Sequence, residues 1–241
     1  AGANLVAFLR GDRGYEATNS TNPLYRTRQY ILGDIINSSP VYVGAPLFSY
    51  TDTGYAAFKT AQASRTPVVY AGANDGMLHA FNAATGSELW AFIPTAVLPN
   101  LYKLADSSYA TRHTYFVDGA PVVGDVYDSA TSSWKTILVG GLNAGGRAYY
   151  ALDITNPTSP VLLWEFTDSN LGLTFGNPMI VKRNNGTWVV VFASGYNNTA
   201  GDGQGRLYVV NATDVSLDIV DIADPASPRL LKRVDLSGYG A

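Results

Sequence analysis

The sequence predicts an all-β fold, a β-propeller of four-stranded antiparallel blades with about three blades present. Three observations predict it. One four-strand pattern recurs three times along the 241 residues. Turn residues separate short apolar runs about every 8–12 residues. No stretch of convincing length carries helical periodicity. Repetition of a four-strand unit is the mark of a radial, bladed architecture.

Residues 1–38 do not follow the repeat and are expected to form an entering segment or part of a closing blade. The first blade, 39–94, opens with the Pro-led run Ser39-Pro40-Val41-Tyr42-Val43-Gly44. A stronger strand follows, Val68-Val69-Tyr70-Ala71, ending in Gly72-Ala73-Asn74. Beyond an Asn-Asp-Gly turn come Leu78-His79-Ala80-Phe81-Asn82 and the outer run Glu88-Leu89-Trp90-Ala91-Phe92. Gly and Asn suit these turns because they tolerate positive φ. Residues 95–119 are an inter-blade loop, and 95–112 is the place for a short helix.

The second blade, 120–167, repeats the order with Ala120–Gly124, Ile137–Asn143, Ala148–Asp153 and Leu162–Phe166. The third, 174–241, does so with Asn177–Val181, Val189–Asn197 and Leu207–Asn211, its outer strand expected at Leu230 to Leu236. The Gly-x-Asn motif returns at Gly141 and Gly195, spacings of 69 and 54 residues, so loops vary while strand order holds. The runs 68–71 and 189–193 do not alternate, as expected for strands covered on both faces. Closed propellers have about four to eight blades. The chain, opening on Ala1-Gly2-Ala3, therefore reads as a fragment whose missing blades follow residue 241.

Composition narrows the function classes. Charged residues are 15%, below the usual ~25%, while Gly and Tyr are abundant. A net charge of −3 with no basic stripe argues against nucleic acid as a partner. No apolar run approaches the ~20 residues of a membrane span. The absence of Cys removes disulfides, thiolate metal sites and Cys nucleophiles, and leaves the compartment open.

The stretch from Val69 through Asn74-Asp75-Gly76 to Leu89-Trp90 resembles the repeat of quinoprotein dehydrogenases. Longer blocks narrow the likeness. Leu9-Arg10-Gly11-Asp12-Arg13, the run Leu32 to Gly44, Phe116 to Pro121, Gly140 to Gly146 and Thr174 to Pro178 follow in the order of the PilC/PilY propeller domain. The chain resembles that family over nearly its whole length; the long turn Val220 to Arg229 departs from it. The resemblance implies a large bacterial protein exported through the periplasm and outer membrane to the cell surface, at or near the type IV pilus tip. There it would prime assembly with minor pilins, oppose retraction and mediate adhesion to a host-cell surface, without inserting into a membrane.

Candidate sites are few. The family implies calcium loops, and the nearest stretch here places Asn198 and Asp202 as ligands. Ala200 stands where an oxygen ligand is needed and no acidic residue closes the loop, so a hairpin tip is the simpler reading and calcium is expected outside this fragment. Arg10-Gly11-Asp12 is a candidate adhesion tripeptide; a glycine turn flanked by a salt-bridging Arg and a capping Asp accounts for it equally. No quinone is expected: the chain lacks Cys and enough blades, and Trp90 and Trp164 fall on outer strands where inter-blade packing explains them. His79 reads as a hydrogen-bonded strand residue and His113 as a loop residue, a poor zinc pair. Asp75, Asp118, Asp125, Asp153 and Asp202 sit where turn capping is the ordinary role.

These readings favour a non-enzymatic pilus biogenesis and adhesion factor. Loops 14–30, 50–66 and 96–114 are the expected partner surface, with Tyr25, Arg26, Tyr102, Tyr109 and Arg112 as anchors. The rivals are a degenerate quinoprotein dehydrogenase and a generic outer-membrane propeller scaffold.

Overall fold

The computed structural model describes residues 2–199, 201–214, 216–221 and 229–234. Three antiparallel sheets follow one another along the chain, each with its strands in sequential order. The first holds β1 (Val41–Val43), β2 (Val68–Ala73), β3 (Met77–Asn82) and β4 (Glu88–Phe92). The second holds β5 (Val122–Asp128), β6 (Ser133–Gly141), β7 (Tyr149–Asp153) and β8 (Val161–Phe166). β9 (Met179–Lys182), β10 (Trp188–Ala193), β11 (Arg206–Asn211), β12 (Leu217–Asp221) and β13 (Arg229–Val234) make the third. The leading strands meet in sequence order, β1 against β5 and β5 against β9, as blades of a propeller do.

The fourth strand of the third sheet is Leu217–Asp221, not the expected 230–236; Arg229–Val234 adds a fifth strand outside it. The reason is turn chemistry. Asn211 N–H donates to Ser216 O, and Asn211 Oδ1 accepts from Thr213 N. Asn82 closes the β3–β4 turn in the same way, through Ser87 O and the Ala84 N–H. The chain therefore reverses at once and pairs Leu217 with Val210.

Two cores share the middle sheet. Ile137, Val139, Tyr149 and Ala151 face the third sheet, beside Val190, Phe192 and Tyr208. Leu138, Tyr150 and Leu152 face the first, beside Tyr70, Leu78 and Leu101. Alternate residues of one strand thus enter different cores, so runs of uninterrupted apolar residues are what two-sided burial requires. The outer Trp side chains link successive sheets: Trp90 Nε1 donates to Pro157 O at 2.8 Å and Trp164 Nε1 to Ala212 O at 3.3 Å.

The asparagines of the first two Gly-x-Asn ends tie their sheets to neighbouring segments. Asn74 Nδ2 donates to Asp34 Oδ2 at 2.9 Å, and its Oδ1 accepts from Phe116 N at 3.0 Å. In the next sheet Asn143 Nδ2 donates to Asp118 O, while Asp118 Oδ2 accepts from Asn37 Nδ2 at 2.7 Å. Here backbones crowd: a Cβ on Gly145 would lie 1.8 Å from Phe116 O.

Two helices lie outside the blade pattern. Among the described residues, 2–38 contribute no strand to these sheets; they include α1 (Gly2–Leu9) and a loop closed by a bridge, Glu16 to Tyr25. The second helix, α2 (Tyr55–Ala61), sits within a strap, residues 44–66, that joins β1 to β2. The strap leaves the first sheet and reaches the other two. Tyr55 Oη donates to Asp125 at 2.7 Å, Trp134 Nε1 donates to Thr53 O at 3.0 Å, and Lys182 pairs with Asp52. Tyr50 lies 5.7 Å from the Trp134 ring and 5.1 Å from that of Trp188. Loop 50–66 is thus a packed brace, its Tyr55 fully buried.

Candidate functional site

The expected short helix is present as 3-10 turns, Thr95–Ala105 and Tyr109–Thr111. Val97, Leu101 and Leu104 recur every three or four residues and enter the core. That face fixes the other: Tyr102 points outward, 58% exposed. Asp106 caps the following turn, accepting from Ser108 N and Oγ at 2.7 Å. These bonds hold its carboxyl below the ordinary carboxylate value.

The turns enclose a 270 Å³ pocket lined by Tyr102, Lys103, Asp106, Ser108, Tyr109, Arg112 and Thr114. Three of the five expected anchors therefore meet in one place. Tyr109 is not a surface anchor, being 8% exposed and part of the core; it forms a wall. Burial raises its phenol pKa. The Arg26 guanidinium lies 4.6 Å from its ring, and Arg26 Nε donates to Leu104 O at 2.6 Å. Tyr25 stands apart, half-buried, with its ring 4.9 Å from Phe8.

Beside this pocket, Asp34 ties three segments together through Asn74 and His113, the latter at 3.0 Å. Burial opposes ionisation of Asp34, but the hydrogen bonds from Asn74 and His113 prevail and hold its pKa down. His79 has Asp75 3.1 Å from Nε2 and Glu88 2.6 Å from Nδ1. It borders a 660 Å³ cleft whose apolar wall includes Leu9, Ile31, Leu32, Met77 and Phe81. Both ring nitrogens face carboxylates, and these hydrogen bonds and charges outweigh burial and raise the His79 pKa above its ordinary value. The arrangement suits binding: aromatic and mixed-charge groups mounted on a rigid base.

Asn198 and Asp202 are brought to one turn, and Ala200 lies outside the described residues. Asn198 Nδ2 donates to Gln204 O at 2.8 Å. Asp202 is gripped by both terminal nitrogens of Arg206, and this pairing depresses its pKa. Its carboxylate is thus engaged by an arginine.

Arg10, Gly11 and Asp12 form the C-terminal cap of α1. Gly11 has φ +102°; its N–H donates to Phe8 O, and Asp12 N–H donates to Ala7 O at 2.9 Å. That is the Schellman pattern, which places glycine just past a helix end. Asp12 Oδ1 accepts from Gly14 N at 2.6 Å. Arg10 is exposed and has no ion pair among the described residues, contrary to the salt-bridging role expected of it. That role belongs to Arg28, which sequence reasoning missed. Its Nε donates to the fully buried Glu16 at 2.7 Å, its terminal nitrogens to Phe8 O and Asp12 O, and its plane covers Phe8 at 3.7 Å. Nothing in the spacing of two charges within a polar loop marks such a pair.

Comparison with known proteins agrees with this fold. The profile of the family described as the PilY1 beta-propeller domain matches residues 32–222. A type IV pilus biogenesis factor PilY1 homolog from Xylella fastidiosa is 45% identical over 221 residues, 88% of this chain and 18% of its own length. The type IV pilus biogenesis factor PilY1 of Pseudomonas aeruginosa is 45% identical over 208 residues, 82% of this chain and 17% of its own length. The crystal structure of the Pseudomonas aeruginosa PilY1 C-terminal domain superposes with a TM-score of 0.59 at 34% identity. That superposition covers 72% of this chain and 35% of the solved one. The chain thus spans less than a fifth of the length of these curated relatives.

Proposed function

We infer function from one premise: the chain belongs to the family of the PilY1 β-propeller domain. We propose that the protein is a non-enzymatic type IV pilus biogenesis factor. It works outside the cell at the pilus tip, where it primes assembly with minor pilins, opposes retraction and touches the host surface. The observation that carries this reading is the family match running through all three sheets. The non-enzymatic part draws support from His79, whose ring is saturated by Asp75 and Glu88. The pocket at Tyr102 and Arg112 is the proposed contact with a pilin, because Tyr and Arg are the residues that interfaces enrich.

Electron-microscopic counts of surface pili test this, in cells with and without the retraction motor. Deleting the gene is expected to strip pili from motor-containing cells, with recovery when the motor is also removed. Loss in both backgrounds would replace the anti-retraction role with an essential assembly role. Unchanged pili in both would overturn the proposal. A full-length Tyr102→Ala, Arg112→Glu variant, exported at normal level, is expected to reproduce the deletion; normal piliation would remove this pocket from the contact.

A further inference from the structure

A separate groove of 390 Å³ opens between the end of the strap and the turn joining β7 to β8. Gln62, Ser64, Arg65 and Thr66 line it from the strap, and Asn156 and Thr158 from the turn, where Thr158 Oγ1 donates to Asn156 Oδ1 at 3.0 Å. No aromatic or long aliphatic side chain lines it, so it does not suit an apolar ligand. Its volume falls at the lower end of the range for small-molecule pockets, about 300–1,000 Å³.

Arg65 is unusual for a half-buried cation. Its Nε donates to Gly44 O at 2.5 Å and its Nη1 to Thr136 Oγ1 at 2.7 Å. Nη2 has no partner among the described residues, and no carboxylate lies within ion-pair distance. Nearby Asp125 is spent, Oδ1 on Thr136 and Oδ2 on Tyr55. Burial pushes the Arg65 guanidinium down, only partly offset by the field of Asp125. A guanidinium held by two bonds, with its remaining donors unclaimed, is prepared for a carboxylate.

We propose that this groove binds a pyranose bearing a carboxylate. Arg65 takes the acid group, and the hydroxyl and amide side chains of both walls take the ring hydroxyls. This goes beyond the pilus reading and does not depend on it.

Titration of the isotopically labelled protein with galacturonate, galactose and acetate, followed by NMR, tests the assignment. Galacturonate is expected to give saturable shifts at 61–66 and 155–158 in the millimolar range. Galactose and acetate should each bind about tenfold more weakly or worse. Arg65→Gln should abolish the galacturonate shifts. Thr158→Val, on an exposed turn, should weaken them severalfold with unchanged Tm, and it decides the matter if Arg65→Gln fails to fold. Absence of saturable shifts in the unmodified protein would overturn the proposal. So would equal binding of galactose, which makes the charge irrelevant, or of acetate, which reduces the groove to a bare carboxylate site. Full galacturonate binding by both variants would overturn it as well.

Discussion

His79 is a buried imidazole whose two nitrogens both face carboxylates. Burial alone would lower its pKa, but hydrogen bonds and charge from Asp75 and Glu88 outweigh that and raise it above the ordinary 6.5. A folded pKa above the unfolded one adds stability that is complete below the unfolded value and disappears as pH climbs through the folded value. Stability of the protein is therefore expected to decline from just above pH 6.5 upward, and His79→Gln should flatten that decline. Urea unfolding across pH 6–9 checks it; parallel profiles for the two proteins would refute the assignment. That His79 would be hydrogen-bonded within a strand was legible in the sequence, but its partners were not. Glu88 lies nine residues away, and a register shift at Ala80/Phe81 alters the pairing on which such a guess would rest. Arg28 and Glu16 were hidden for a related reason: their pairing is set by the path of a loop, which no periodicity encodes.

At the level of elements, the strands were readable because a two-sided blade forces short apolar runs between turns, and because Asn and Gly must sit where the chain reverses. The helices were not readable. α1 is almost wholly apolar with only Phe8 buried, so no face stands out; α2 has seven residues, too few for a period to show. β12 was missed although the Asn211 turn repeats the Asn82 turn, its N–H bonding Ser216 O as that of Asn82 bonds Ser87 O. Close backbone approach gives a sharp test. Gly145→Ala would drive a methyl group into Phe116 O and is expected to destabilise by about 3 kcal/mol or more. Gly86→Ala, in open space at φ +72°, should lose only about 1–2 kcal/mol. Denaturant midpoints compare them, and a Gly145→Ala protein as stable as Gly86→Ala would contradict the crowding.

Across the molecule, the second sheet is the only one with an extensive core on each side among the described residues. Opening it breaks both cores, whereas opening either neighbour breaks one. Amide exchange is therefore expected to be slowest in β6 and β7, near Val139 and Leu152, and fastest in β13 at the margin of the third sheet. Equal protection in β13 and β6 would argue against that hierarchy. The three-blade plan followed from repetition alone, but the brace across it did not, since a loop of variable length gives no sign of where it will land. That brace also sets an order in time. Residues 44–66 are synthesised long before their partners: Asp125 lies 70 residues after Tyr55, Trp134 lies 81 after Thr53, and Lys182 lies 130 after Asp52. Such distant contacts are slow to form because the intervening chain must first be confined. The strap therefore closes in stages, Tyr55 settling on the second sheet at Asp125 and Trp134 before Asp52 and Tyr50 find Lys182 and Trp188. Its last contacts mark the moment at which the second and third blades become one body.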